Sequence, residues 1–302
     1  MWHRPTYPVP VIETTLGRAA WTARARAHEA AVDELTAGHR ERRARGERHP
    51  VEDFLFEYYA HRPAHLRRWH PGPGVVLADA AEVYAGRSGY VVDEDGSARL
   101  DVDGLLGRRG RTVAFVRELL TATLSRPGTH DCFGLHEWAM VYGLQPGEQR
   151  HEQLPLRLGQ AGTDAVVEGH RVRCSHHDAY RFFTPDAVAL NSLRPTREDQ
   201  VDHEQPACLH AGMDVYKWCF KLAPAVPSEL TLEAFRHALR VRRLDMQASP
   251  YDVSGLGLAP VAVETSEGKA QYVARQRELM VTSNSLRRRL LAVTDLLTPA
   301  SP

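Results

Sequence analysis

The spacing of apolar residues predicts a chain built mainly from helices. Over 13–45, apolar residues such as Leu16, Ala20 and Ala27 recur every three or four positions, which places them on one helical face. Comparable patterns predict further helices over 51–62, 111–125, 207–224, 228–246 and 267–297. A short helix is also expected just after His177, where DAYRFFTPDA carries a central Pro.

Short β-type runs interrupt this helical pattern. Residues 74–110 hold the runs GVVLA, YVVD and ARLDV between Gly and Asp turns, which predicts two or three short strands with a turn at 93–96. The alternation of HRVRCSH predicts another strand at 170–176, whereas 145–169 has a loop-like composition. The predicted fold class is therefore mainly α, that is α+β with a minor β element, in a compact multi-helix enzyme.

The chain is long enough for a substantial core, since 43% of its 302 residues are hydrophobic. We expect one large domain over 1–302, which could be divided into a helical N-terminal segment (1–73), a small β insertion (74–110) and a helical catalytic core (111–302). The formal net charge is zero, so the chain as a whole has no excess positive charge that would attract nucleic acid. Arg supplies nearly all of the basic residues, since Lys occurs only three times, and this bias is typical of a GC-rich bacterial genome.

Targeting and cysteine signals predict a cytoplasmic protein. The first ten residues lack the basic and apolar parts of a signal peptide, and no apolar run approaches the roughly 18 residues that a membrane span needs. Four widely spaced cysteines form no CxxC pair, which argues against a zinc ribbon or a disulfide framework. P-loop, HExxH and GxSxG motifs are missing as well, so those enzyme classes are not expected.

The predicted helix 207–224 carries the strongest candidate site. His210 and Asp214 are four residues apart, and Lys217 and Lys221 continue the same stripe. Such a stripe is often a solvated face. Because Cys and Trp flank it, the alternative is a buried stripe whose polar groups need partners inside the protein. On that interpretation, Asp214, His210 and Lys217 are catalytic candidates.

Two further segments carry His beside an acid. In a strand, His176 and Asp178 would point the same way, which gives half of a two-His, one-carboxylate ferrous site. Asp178 could instead cap the next helix. Glu137, next to His136, lies in an apolar run and needs either a partner or a raised pKa. The candidate metal ligands, for iron or another divalent ion, are His136, His176, Asp178 and His210.

Basic and aromatic residues are concentrated near the N-terminus. RRARGERH (42–49) and HLRRWH (65–70) combine Arg and His with a nearby aromatic residue, which suits contact with phosphates or bases. A solvated Arg/Glu helix is the simpler interpretation of 42–49. For 61–70 a nucleotide or polyanion site is the alternative to a solvated segment, and a non-catalytic nucleic-acid-binding protein is one candidate function.

Several blocks of the sequence resemble a bacterial protein family that is commonly labelled 3-methyladenine DNA glycosylase. They are HPVEDFLFEYY, HRPAHLRRWHPG, FGLHEWAMVY, CSHHDAYRFFTPDA, EQPACLHAGMDVYKW and LDMQASPYDV, and they span about 20–295. The resemblance implies a cofactor-free DNA-repair hydrolase that excises alkylated purines from DNA, or that acts on a nucleobase-like molecule. A helix-hairpin-helix glycosylase signature is absent from this chain.

Base excision needs a carboxylate, stacking groups and phosphate contacts. By residue type alone, the carboxylate would be Asp214 or Asp178, with Glu137 nearby. The stacking and phosphate-binding candidates are Tyr58, Arg67, Arg68, Trp69, Trp138 and Trp218. The residues by themselves favour the competing hypothesis, a metal-dependent oxygenase of non-haem iron type acting on a small molecule. The resemblance favours base excision, which is therefore the first hypothesis from sequence.

Overall fold

The structure is a computed structural model, and it describes residues 13–145, 147–149, 151 and 153–298. The expectation that no signal peptide is present concerns residues outside this part of the chain. The strands are Thr14–Leu16 (β1), Val75–Leu77 (β2), Tyr90–Val92 (β3) and Ala98–Leu100 (β4). The helices are Arg18–Ala44 (α1), Phe54–Tyr58 (α2), Pro63–Leu66 (α3), Ala81–Tyr84 (α4), Val102–Ser125 (α5), Leu135–Ala139 (α6), Gly159–Glu168 (α7), His177–Tyr180 (α8), Pro185–Leu190 (α9), Gln200–His203 (α10), Leu209–Lys221 (α11), Ser228–Gln247 (α12) and Ser266–Leu297 (α13). The prediction of a mainly helical chain with a minor β element is confirmed.

The four strands form one small sheet in the order β1-β2-β4-β3. β1 runs parallel to β2, with Thr14 opposite Val75, while β4 is antiparallel to both of its neighbours. The sheet therefore includes a strand that precedes α1 as well as three strands within 74–110, where two or three are predicted. One face of the sheet packs on a small core of its own, which is formed by Trp21, Trp69, Leu77, Ala80, Tyr84 and Ala98.

The large core lies among the long helices of the second half of the chain. α11 packs against both α12 and α13, and α13 also packs along α5. α5 begins at Val102 rather than at residue 111, because the Asp101 carboxylate caps it by accepting a hydrogen bond from the Gly104 amide at 2.8 Å. None of the helices in the described ranges is both long enough and apolar enough to cross a membrane.

Three local predictions are wrong. The helix expected over 51–62 is reduced to α2, because Tyr59 is extended, with ψ of 134°. The segment 145–169 has the composition of a loop, yet it contains α7, which begins with two glycines in its first four residues and buries Val166 and Val167. The third is the strand at 170–176, where the backbone is extended but pairs with no strand among the described residues.

The side chains of 170–176 alternate in burial as in a β-strand, but the backbone is not hydrogen-bonded to a neighbouring strand among the described residues. Val172, Cys174 and His176 are buried, whereas the residues between them are not. Asn191 replaces a neighbouring strand, since its side chain accepts from the Cys174 amide at 2.7 Å and donates to the Cys174 carbonyl at 3.0 Å. The periodicity of two therefore reported burial correctly, but the backbone groups are satisfied by an amide side chain.

Candidate functional site

Helix α6 carries two ionisable side chains into the protein interior. It begins after Gly134, which adopts a φ of 75° that favours glycine. A Cβ atom at this position would also lie 3.2 Å from the Ala248 side chain, so glycine permits the close approach of α6 to the end of α12. His136 and Glu137 are consequently 3% and 6% exposed.

Both side chains meet charged partners on α12. Nε2 of His136 lies 2.8 Å from Oδ1 of Asp245. Nη1 of Arg242 donates to Oε1 of Glu137 at 2.9 Å and to Oδ2 of Asp245 at 2.7 Å. Arg242 and Asp245 are fully buried, so each charge depends on these partners to offset the loss of water.

The electrostatics of this group keep most of its members ionised. Burial raises the pKa of Asp245, but the adjacent His136 and Arg242 hold that pKa well below its usual range. Burial lowers the pKa of His136, but the Asp245 carboxylate raises it well above the ordinary value. Burial raises the pKa of Glu137, with Arg242 opposing that shift. Cationic and anionic groups thus balance one another inside the protein.

His210, at the start of α11, is the neutral member of the group. Its ring centroid lies 4.5 Å from that of His136 and 5.4 Å from that of His176. Burial, and then the positive charge on His136, lower the pKa of His210 well below its ordinary value. Its Nδ1 atom is buried without a hydrogen-bond partner in the described part of the chain. Buried polar atoms in this state are normally satisfied by water or by a ligand, and Nδ1 of His176 is in the same state.

Four side chains offer ligand atoms around one point. One nitrogen or oxygen atom from each of His136, Glu137, His210 and Asp245 lies within 4.8 Å of the others, and all four residues are buried. With metal–ligand bonds of about 2.1 Å, ligand atoms on opposite sides of an ion are about 4.2 Å apart. Small side-chain adjustments would therefore bring the atoms of this His–carboxylate group into coordination range.

A second buried network surrounds Asp214 on α11. The Asp214 carboxylate accepts a hydrogen bond from the Tyr59 hydroxyl at 2.7 Å and lies 3.2 Å from Nε2 of His176. Lys217 contacts the same carboxylate and also donates to Asp178 at 3.1 Å. Burial raises the pKa of Asp214, but Lys217 and His176 hold it well below its usual range. Burial lowers the pKa of Lys217, but the two carboxylates raise it above its ordinary value.

One cavity of about 290 Å³ touches both groups. Glu137, His210 and Arg242 reach it from the His–carboxylate group, and Asp178 reaches it from the Asp214 network. Most of the remaining wall is apolar or aromatic, and it is formed by Phe54, Tyr58, Met140, Leu144, Phe182 and Tyr251. A largely apolar pocket with a few convergent polar groups is the usual form of a small-molecule site.

The sequence-predicted site residues divide between these two groups. His136, Glu137 and His210 come together at the His–carboxylate group. His176 and Asp178 face the Asp214 network, where Asp178 pairs with Lys217. Lys221, the last residue of the predicted stripe, is exposed at the end of α11.

The aromatic and basic candidates are more dispersed. Tyr58 lines the cavity, and burial raises its pKa to about 12. The side chains of Trp69, Trp138 and Trp218 are 3%, 0% and 9% exposed, so they belong to the packed interior. Arg67 and Arg68 line a different depression, which lies beside α1.

Sequence reasoning missed Arg242, Asp245 and Cys132. The signal for the first two was present, because Asp245 stands four residues after Val241 and seven after Ala238, on the apolar face of the predicted helix. A charged residue on such a face needs a buried partner. Cys132, whose Sγ lies 3.4 Å from Nδ1 of His136, left no comparable signal.

Comparisons with protein-family models, with curated proteins and with solved structures found no match to this chain.

Proposed function

We propose that this chain is a metal-dependent enzyme that acts on a small organic molecule in the central cavity. The ion is held by His136, His210 and Asp245, with Glu137 beside them. The observation that carries the proposal is the convergence of these four buried ligand-type atoms within 4.8 Å at the cavity wall. Two of the four residues, Glu137 and His210, themselves line the cavity.

The chemistry of the donors suits Fe²⁺ first. Two imidazoles and a carboxylate with open positions are typical of non-haem iron oxygenases. Bound there, such an ion supplies coordination positions at which dioxygen and substrate can meet. None of the four ligands is a thiolate, which would favour a softer ion.

Neighbouring side chains hold the ligands in place. Arg242 donates a hydrogen bond to one oxygen of each carboxylate, Oε1 of Glu137 and Oδ2 of Asp245. The other oxygen of each carboxylate can therefore face an ion. Cys132 contacts the outer ring nitrogen of His136, which fixes the ring orientation. Supporting contacts of this kind are the rule around metal-binding histidines.

The cavity wall supports a substrate with both apolar and polar parts. Six of the thirteen lining residues are aromatic or aliphatic, and the other seven are polar or charged. Asp178 and Thr184 are among the polar groups that would orient one polar end of that molecule. A volume of about 290 Å³ is at the lower end of the range for ligand pockets.

Metal analysis of the purified protein tests the proposal. We expect close to one Fe²⁺ per chain after anaerobic loading, and a nitric oxide adduct of that iron in the electron paramagnetic resonance spectrum. Zn²⁺ and Mn²⁺ loaded in parallel identify the preferred ion. Absence of uptake for all three ions, without any shift in thermal stability, would show that the four residues form a structural ion-pair network.

Base excision stays a second hypothesis, and it is supported by the family resemblance. Asp178, Glu137 and Tyr58 are the candidates for its machinery that lie at the cavity. Asp214 is 1% exposed and contacts Tyr59, His176 and Lys217. Incubation with alkylated DNA tests the hypothesis: release of the modified base by wild type, and its loss in Asp178→Asn, would support it over the metal-dependent reaction.

A further inference from the structure

A second concave site is formed by residues from the first third of the chain. This arginine depression of about 490 Å³ is formed where α1, α3 and α4 meet. Its lining consists of Trp21, Thr22, Ala25, Arg26, Glu29, Ala64, Arg67, Arg68, Trp69, Val83, Tyr84 and Arg87. None of these residues lines the central cavity. Four arginines and a single acid give the depression a strongly positive lining.

The arginines of the depression differ in whether their charge is already compensated. Arg67 is held by Glu29 at 3.1 Å and by Asp33 at 3.1 Å. Arg26, Arg68 and Arg87 have no carboxylate within ion-pair distance in the described ranges of the chain. Three uncompensated guanidinium groups from three separate segments therefore face one concave surface.

Arg87 is held in place without using its hydrogen-bond donors. Its guanidinium carbon lies 4.9 Å from the centroid of the Tyr84 ring and 5.7 Å from that of the Tyr90 ring. Among the described residues, no hydrogen bond uses the N–H donors of the Arg87 guanidinium group, so the two ring contacts leave these donors available to an anionic ligand.

The two tryptophans of the depression already use their N–H groups in hydrogen bonds within the protein. The indole N–H of Trp21 donates to the Ala78 carbonyl at 2.9 Å, and that of Trp69 donates to Glu229 at 3.0 Å. The remaining side-chain donors are the arginines, together with the hydroxyls of Thr22 and Tyr84. Val83 is 46% exposed on the lining, which offers apolar contact to the organic part of a ligand.

We infer that the arginine depression binds a small phosphate ester, of the size of a nucleoside monophosphate. Arginine forks match the several oxygens of a phosphate group, and a doubly charged phosphate suits more than one guanidinium. A nucleic-acid strand is less suited, because the uncompensated arginines converge on one concave surface in a chain of zero net charge. The site is separate from the proposed metal centre.

Calorimetric titration with adenosine monophosphate and with inorganic phosphate tests this inference. We expect saturable binding to wild type, and a loss of at least about tenfold in affinity in the double variant Arg26→Gln/Arg68→Gln, since hydrogen bonds to charged groups are worth that much each. Both side chains are exposed and lack ion pairs in the described residues, so the variant should fold normally. The matched control is Arg24→Gln/Arg62→Gln, which changes two exposed arginines on the same two segments and the net charge equally.

Two outcomes would overturn the inference. One is the absence of saturable binding to wild type, or an equal weakening in both double variants, which would indicate only long-range charge attraction. The other is much tighter binding of a single-stranded oligonucleotide than of the monophosphate, with a steep salt dependence, which would assign the surface to nucleic acid. Asp245→Asn, tested in parallel, should keep phosphate binding. The phosphate result can therefore be interpreted even if the metal proposal fails.

Discussion

His136 and Asp245 are 109 residues apart in the chain, yet Nε2 of one lies 2.8 Å from Oδ1 of the other inside the protein. This contact joins α6 to α12, and the neighbouring Glu137 and Arg242 on the same two helices line the central cavity. It has the length of a charge-assisted hydrogen bond, and it is also a normal distance between two ligands of one ion. The experiments below distinguish those two roles.

Removal of His210 separates metal binding from stability. His210 has a buried and unpartnered Nδ1 and takes part in no ion pair in the described residues, so His210→Gln should reduce Fe²⁺ occupancy at least tenfold with little loss of stability. Asp245→Asn should abolish occupancy as well, but with a larger loss of stability, because Arg242 and His136 lose their shared acid. Metal analysis and urea unfolding measure the two effects. Asp202→Asn, at an exposed acid, is the control, and wild-type occupancy in His210→Gln would contradict the ligand assignment.

The sulfur of Cys132 should affect the affinity of the proposed metal centre. Sγ lies 3.4 Å from Nδ1 of His136, so Cys132→Val leaves that nitrogen without a partner, while Cys132→Ser keeps a polar atom there. Supporting contacts of this kind are typically worth about 10- to 100-fold in metal affinity. We expect that loss in Cys132→Val and a smaller one in Cys132→Ser, measured by competition with a chelator. Cys219→Val, at a buried cysteine on the far part of α11, should leave affinity unchanged; equal losses in both valine variants would point to a packing effect.

Two adjacent arginines on α12 should differ widely in their effect on stability. Arg242 is buried between Glu137 and Asp245, and Arg242→Met leaves Glu137 without its cationic partner and Asp245 with His136 alone, at a cost of about 3–5 kcal/mol in the free energy of unfolding. Arg243 pairs with Glu52 at the surface, where its side chain is 54% exposed, so Arg243→Met should cost about 1 kcal/mol or less. Urea unfolding gives both values, and similar costs would contradict the buried network.

The Asp214 network predicts a dependence of stability on pH. The pKa of Asp214 is lowered in the folded protein from an unfolded value of 3.8, so its contribution is fully present above about pH 4 and is lost as the pH falls through the folded pKa. We therefore expect Asp214→Asn to cost about 3–5 kcal/mol near neutral pH, and this difference from wild type to shrink in acid.

Lys217 should make the stability of the same network depend on pH at the alkaline end. Its pKa is raised above 10.5 in the folded protein, so its contribution is fully present below that pH and is lost as the pH rises through the folded pKa. Urea unfolding at several pH values measures both limbs. Asp295→Asn, at an exposed acid paired with Arg117, is the control and should differ from wild type by about 1 kcal/mol or less throughout. A difference for Asp214→Asn that stays constant with pH would contradict the assigned pKa shifts.

Much of the fold could be predicted because burial leaves a periodic pattern. The last three long helices were located within a few residues, and the alternation at 170–176 identified the buried side chains correctly. It failed to show that Asn191, not a second strand, would satisfy the backbone of Cys174. α7 was missed because glycines give it the composition of a loop.

The candidate site was only half visible in the sequence. His136, Glu137 and His210 can be identified from the sequence because they are polar residues within largely apolar runs. Arg242 and Asp245 lie in the highly charged segment RVRRLD of α12. Only their position on the buried face of the helix distinguishes them from the exposed Arg243. Which acid meets which histidine depends on the packing of α6 against α12, and that is a long-range relationship.

The separation of the four candidate ligands along the chain has a consequence for how the protein folds in a cell. Glu137 adjoins His136, but His210 and Asp245 follow only after 74 and 109 residues, so the unfolded chain gathers them poorly. An ion would then bind the native state almost exclusively and stabilise it by mass action, by about 2.7 kcal/mol at one hundred times its dissociation constant. Iron supply would thus set the abundance of the folded protein as well as its activity, and starvation for the ion would be felt first as faster turnover of the chain.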